Sequence, residues 1–215
     1  MKIVSVNAAR SVKVEWQGKE LKTSIFKKPL YGPQMVNHLG LVKDTQSDPK
    51  HHGGPKRAIY AYDSAAYGYW HSKIVPQRIR NGLFGENLTT EGLTDDTIYV
   101  GNIYQIGKVI MQAIEPRIPC YKLNIALGRN DAMELFYKKA IYGTYFSVLE
   151  TGPVEAGMKI ELLEKSTSEI RISTIAQQFS SPTKDIELCK KISQLDTLSE
   201  GTRNTFLQFI ERKKA

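Results

Sequence analysis

Apolar and polar residues alternate in short runs through the first 165 positions of this chain. The runs are KIVSVN, VKVEW and LKTS on either side of QGKE, then RAIYAY, DTIYV, IYQIG, KVIMQAIE, TYFSVLE and MKIELLE. A period of two places alternate side chains on opposite faces of a strand, and IYQIG and MKIELLE show it most cleanly. Gly32-Pro33, Gly53-Gly54, Gly101-Asn102 and Gly152-Pro153 mark the breaks between runs. So many short strands in one stretch predict a barrel or a closed sandwich. Two segments change to helical spacing. SAAYGYWHSKI follows Asp63 as a candidate N-cap, and DAMELFYKKAIY has Asp131 at its start with Lys138 and Lys139 late, the order the helix dipole favours.

From residue 166 onward the period is that of helices. STIAQQF, SPTKDIELCKKISQL and SEGTRNTFLQFIERKK each have Ser or Thr near the start. Ile186, Cys189, Ile192 and Leu195 lie on one helical face, and Phe206, Phe209 and Ile210 do the same in the last segment. The pattern divides the chain into a β-rich domain, 1–165, and a three-helix domain, 166–215. No Gly/Ser/Pro-rich linker separates them, so the helices are expected to pack directly on the β domain.

Composition narrows the function classes. The chain has 215 residues and no long apolar run, and MKIVSVNAARSVKVEW lacks the apolar core of a signal peptide, so a cytoplasmic protein is expected. Its formal charge of +8 favours an anionic partner such as phosphate, nucleic acid or an anionic cofactor. The excess is spread out, and the helical segment has 8 basic against 6 acidic residues with no basic recognition face, which argues against a nucleic-acid module. Cys120 and Cys189 are far apart, excluding a CxxC redox or zinc pair. His38, His51, His52 and His71 have no metal-ligand spacing. A GxGxxG turn after a strand and a cysteine cluster are both missing, so no nicotinamide, flavin or iron–sulfur motif is legible.

Three stretches carry candidate chemistry. In KHHGGPKRAIYAY, Gly53 and Gly54 would let backbone N–H groups turn toward an anion, with Lys56 and Arg57 beside them; the same stretch also reads as an exposed hairpin loop. In FGENLTTEGL, Glu86, Asn87 and Thr89 offer a carboxylate, an amide and a hydroxyl within one loop, able to read a heterocycle or only to stabilise the turn. In EPRIPCYKL, Pro116 and Pro119 restrict the backbone around Arg117 and Cys120, and PCYKLNIAL reads as a helix start with Pro119 in its first turn. A cysteine there, beside cations, is expected as the thiolate; a small core residue is the other reading. Cys189, on an apolar helical face, reads as core.

HGGPKRAIYAY, FGENLTTEGL and PRIPCYKL, in that order and approximate separation, resemble MOSC domains, named for the C-terminal domain of molybdenum cofactor sulfurase. KTSIFKKPLYGP and the three C-terminal helices resemble the YiiM-like branch. One departure is Lys43 of LGLVKDTQSDPKHHGG, which stands where a glycine is usual, although Asp44 and Asp48 follow. The resemblance implies a mainly β protein with α: a MOSC-type β-barrel with inserted helices and a small C-terminal three-helix bundle. It implies the molybdenum cofactor, with Cys120 as thiolate ligand to the metal. Lys56 and Arg57, with Lys27 or Arg117, are expected near phosphate and pterin, with His52, Gly53 and Gly54 at the turn. Glu86, Asn87 and Thr89 are candidate cofactor contacts, with Asp48 and Tyr62 behind them. The implied activity is reduction of N-hydroxylated compounds such as 6-hydroxylaminopurine, with His52 or Glu86 as proton donor and a separate flavin-reductase-type protein as electron source. Neither nucleic acid nor membrane is an expected partner, and the chain could act as a monomer or a homodimer. The alternative function is a non-catalytic carrier of the cofactor or of sulfur.

Overall fold

The computed structural model describes residues 1–48, 53–74 and 79–213. In chain order its strands are β1 (Lys2–Ala8), β2 (Val12–Trp16), β3 (Lys19–Thr23), β4 (Lys28–Leu30), β5 (Gln34–Asn37), β6 (Gly40–Leu41) and β7 (Ile59–Asp63). There follow β8 (Leu88–Glu91), β9 (Ile103–Ile106), β10 (Val109–Pro116), β11 (Thr144–Glu150), β12 (Gly152–Val154) and β13 (Glu161–Glu164). The helices are α1 (Ala65–Lys73), α2 (Lys122–Leu127), α3 (Ala132–Lys139), α4 (Ile172–Ser180), α5 (Ile186–Ser193) and α6 (Glu200–Arg212). Among the described residues no helix is long and apolar enough to cross a membrane.

Eight strands make one sheet in the order β13-β9-β10-β11-β7-β8-β1-β4, beside a β12-β5-β6 sheet and a β2-β3 hairpin. The expected closed barrel is not formed as a continuous ladder. Instead the backbone just before β13 returns to β1 irregularly: Ile3 N donates to Met158 O at 2.9 Å, Gly157 N to Ile3 O at 2.8 Å, and Ile160 N to Met1 O at 2.9 Å. A register shift between Ile3 and Ser5 on β1 accompanies this, as bulges do where a sheet must bend.

Two local expectations change. DTIYV is a turn rather than a strand, with a single bridge from Tyr99 to Arg171. Ile98 and Val100 are buried, which produced the alternating pattern, but their backbone bonds go to Ile172 and Ile170 in the approach to α4. LTTE, read as loop, is the central strand β8, parallel to β7 and antiparallel to β1. Thr89 and Thr90 made it look exposed, yet both are fully buried and bonded: Thr89 Oγ1 to Glu86 Oε1 at 3.0 Å and Thr90 Oγ1 to Asp63 Oδ2 at 3.4 Å.

The three C-terminal helices form as their faces predict. Asp185 caps α5 and Ser199 caps α6, each side chain accepting a backbone N–H one turn on. Ile175 and Phe179 of α4, Cys189 and Ile192 of α5, and Phe206 of α6 join the same apolar cluster as Met111, Ala113 and Phe146 of the sheet. A second cluster, with Trp70 stacked on Phe136 at 3.8 Å and Phe84 against both, holds α1 and α3 under the loops that carry the site.

Gly143, entering β11, sits at φ +71°, and a Cβ there would lie 2.6 Å from Ala61 O and 2.7 Å from the rings of Tyr60 and Tyr62. Gly143→Ala should therefore cost about 3 kcal/mol or more from combined strain and clash, read as a fall in the denaturant midpoint. A loss below about 1 kcal/mol would contradict this packing.

Candidate functional site

A pocket opens where β7, the end of β10 and the start of β11 meet the segment 44–48. Tyr60 and Tyr145 face each other across the β7–β11 register with ring centroids 5.6 Å apart. Each ring carries a guanidinium: Arg57 Cζ is 5.8 Å from the Tyr145 centroid and Arg117 Cζ is 5.5 Å from that of Tyr60. Such stacking lets a cation sit in a low-dielectric floor at reduced desolvation cost.

Arg117 is set by its own backbone. β10 ends at Pro116, and Arg117 N then donates to Gly143 O at 3.0 Å. The Ile118-Pro119 turn brings Cys120, half-buried, to 3.9 Å between its Sγ and Arg117 Nη2. α2 begins at Lys122, later than expected, so Cys120 lies in the turn before it with its carbonyl accepting from Leu123 N at 3.0 Å. Arg117 is only 5% exposed. Burial opposes its charge, but Cys120, Tyr145 and Tyr60 favour it and the net direction is upward, so the guanidinium remains a fixed cation.

The other cations of the pocket have carboxylate partners. Lys27 pairs with Asp44, Arg57 Nε with Glu115 Oε1 at 2.8 Å, and Lys122 Nζ with Asp48 Oδ2 at 3.1 Å. Burial lowers the Lys27 pKa, partly offset by Asp44. Asp44 is held in turn by Asn87 Nδ2 at 2.9 Å and Ala9 N at 2.8 Å. Among the described residues Arg117 meets no carboxylate, and the soft sulfur of Cys120 is the group placed beside it.

Lys27, Arg57, Asn87, Arg117 and Asp48 thus line one pocket, with Cys120 at Arg117. Lys56 points elsewhere, donating to Asp196 O at 2.8 Å and Leu198 O at 2.7 Å. Glu86 and Thr89 lie behind the wall. Glu86 Oε1 accepts from Tyr67 OH, Gly82 N and Thr89 Oγ1, and its Oε2 accepts from Phe84 N at 3.1 Å. Its pKa is nonetheless raised, because burial outweighs those bonds. Gly54, at φ +88°, donates its N–H to Gln46 Oε1 at 2.9 Å, and Gly53 adjoins it half-buried. Tyr62 belongs to the second apolar cluster, its hydroxyl accepting from Trp70 Nε1 at 2.5 Å. His52 lies outside the described residues.

Sequence reasoning passed over Lys122, Tyr60, Tyr145 and Asp95. Lys122 was legible as a cation two residues after the cysteine, whereas the tyrosines looked like ordinary strand residues. Asp95 Oδ2 accepts from Tyr142 N at 2.9 Å and Gly143 N at 3.0 Å, so it clamps the turn whose carbonyl holds Arg117.

Among the described residues no three His, Cys, Asp or Glu side chains gather at one point. One thiol, a buried guanidinium that meets no carboxylate among the described residues and three further cations, each paired with a carboxylate, fit an anionic, phosphate-bearing group that presents a sulfur-favouring metal. The sequence matches the MOSC domain family over residues 48–161, and the chain belongs to that family. It is 35% identical to the protein YiiM of Escherichia coli over 157 residues, spanning 72% of this chain and 69% of that one. A protein of Gibberella moniliformis called Reductase is 28% identical over 90% of this chain, which spans 35% of its length. The crystal structure of YiiM from Geobacillus stearothermophilus superposes with a TM-score of 0.81 at 28% identity, covering 97% of this chain and 98% of that one.

Burial lifts the Asp95 carboxyl to about 6 despite the two backbone N–H bonds that favour its ionised form. A raised carboxyl pKa means folding favours the protonated form, so this contribution is full below about pH 4 and is lost as pH rises through about 6. Wild type should lose up to about 3 kcal/mol relative to Asp95→Asn over that window in paired denaturation series. A difference that is flat with pH would refute the assignment.

Proposed function

We propose that this protein binds the molybdenum cofactor in the Arg117 pocket, with Cys120 as thiolate ligand to the metal, and reduces N-hydroxylated compounds such as 6-hydroxylaminopurine. The observation that carries the proposal is the contact of a buried Arg117, which meets no carboxylate among the described residues, with the Cys120 thiol. A fixed cation 3.9 Å from a sulfur leaves that sulfur, among the described residues, the one soft donor at this end of the pocket, and sulfur suits a metal already bound by sulfur. Arg57, Lys27 and Lys122 supply positive potential for a phosphate, and Asn87 supplies an amide at the wall.

When bound, the cofactor would supply two-electron reduction at molybdenum, so that R–NHOH, two electrons and two protons give R–NH2 and water. The chain's own residues hold charge and shape around that chemistry. Arg117, which lines the pocket, holds Cys120 Sγ beside it, and the two tyrosine rings lie against both guanidiniums. Glu86, saturated by donors behind the wall, is poorly placed to deliver a proton, which leaves His52 or solvent. Electrons would come from a separate protein of the flavin-reductase type, since the sequence carries no second redox motif. Membership of the MOSC family supports the cofactor, and the relative named Reductase supports the redox class.

The test is metal and pterin content of freshly purified full-length protein beside Cys120→Ala. Wild type should hold molybdenum and pterin in equal amounts and the variant neither, with melting temperatures of the cofactor-free forms within ~3 °C. Molybdenum retained by a folded Cys120→Ala protein would sink the assignment. Loaded wild type should then turn over an excess of 6-hydroxylaminopurine with a reducing dye. Exhaustion after one equivalent would mark a carrier instead.

A further inference from the structure

The N-cap of α6 is wired into the pocket wall. The Ser199 hydroxyl donates to Glu115 Oε2 at 2.7 Å and accepts from Arg57 Nη2 at 3.2 Å and Thr202 N at 3.3 Å. Ser199 N adds a bond to Glu115 Oε2 at 3.2 Å, while Glu115 Oε1 takes Arg57 Nε at 2.8 Å. Glu115 is 1% exposed and sits on β10 two residues before Arg117. Residues 57, 115 and 199, remote in sequence, therefore share one network centred on a buried carboxylate. An ordinary N-cap needs only to accept a backbone N–H. This one also donates its proton to a buried carboxylate whose other oxygen fixes a pocket cation. Lys56, next in chain, ties the same junction by its bonds to Asp196 O and Leu198 O.

We infer that the C-terminal helices are a working part of the anion site: Ser199, with Glu115, is a positioning residue for Arg57, and filling the pocket tightens the seating of α6. The inference rests on reading the pocket as an anion site. Coupling of this kind is reciprocal, so a change at the cap must be felt in the pocket and a bound anion must be felt at the cap. Removing the Ser199 hydroxyl takes from Glu115 Oε2 its 2.7 Å hydroxyl bond and from Arg57 Nη2 an acceptor that helps set its angle over Tyr145. Burial makes each such loss larger than at an exposed site.

The test uses cofactor-free full-length chain and inorganic phosphate as probe, titrated by calorimetry. Ser199→Ala should weaken phosphate binding about five- to tenfold, and Ser199→Thr, which keeps the hydroxyl, should restore it. Added to Arg57→Gln, Ser199→Ala should have little further effect, because it acts through that residue. Asp185→Ala is the control: it removes the cap of α5, whose side chain bonds Leu188 N at 3.0 Å rather than a pocket residue, and should leave phosphate affinity unchanged. Hydrogen exchange in the first turn of α6 should slow with phosphate in wild type and not in Arg57→Gln. Wild-type affinity in Ser199→Ala, or an equal loss in Asp185→Ala, would overturn the coupling while leaving the anion pocket standing. Failure of wild type itself to bind phosphate would instead overturn the anion reading and the coupling with it.

Discussion

A guanidinium taken almost wholly out of water must be held by something, and in this chain Arg117 is held by a ring, a carbonyl and a thiol. Tyr60 lies under its plane, Gly143 O fixes its backbone and Cys120 Sγ faces Nη2. An uncompensated buried cation costs several kcal/mol, so Arg117 depends on the aromatic and sulfur contacts around it. In the proposed reading a bound anion would complete the compensation. The remaining architecture follows from keeping those three contacts in register.

Each contact depends on a distinct piece of sheet. Tyr60 and Tyr145 come from neighbouring antiparallel strands, so their rings meet only because Phe146↔Ile59 and Thr144↔Ala61 flank them in register. Gly143 can place its carbonyl under Arg117 because it has no side chain to meet Tyr60 and Tyr62. Asp95 clamps the same turn from behind, and Glu115 sets Arg57 on the second ring. The floor is thus stiff, and its charges are fixed before any ligand arrives, which is the arrangement that recognises an anion with least reorganisation.

Strands with clean alternation, such as IYQIG and KVIMQAIE, and the three C-terminal helices with their Ser and Asp caps were legible in the sequence. What failed did so where tertiary bonds overrode local pattern. LTTE looked like loop because two threonines interrupt the apolar residues, but a central strand can bury hydroxyls when Asp63 and Glu86 receive them. DTIYV looked like strand because its apolar side chains point inward, though its backbone pairs with the approach to α4. Within the candidate site, the two prolines of EPRIPCYKL pointed to a fixed placement of Cys120 near Arg117, and the two side chains lie 3.9 Å apart. Lys56 and Arg57 could not be told apart by sequence: one turns to the C-terminal carbonyls and the other to the pocket, a difference set by a carboxylate 58 positions later on β10. Cys189, placed in the core by helical periodicity, is fully buried.

Molybdenum K-edge X-ray absorption on the loaded wild type addresses the central claim most directly, because it counts sulfur neighbours of the metal without relying on turnover. The account predicts a sulfur ligand in wild type beyond those the cofactor brings, lost in Cys120→Ser protein that still folds and is loaded with cofactor in vitro. An identical sulfur shell in the two proteins would show that Cys120 does not touch the metal, and Arg117 would then have to be explained by the anion alone.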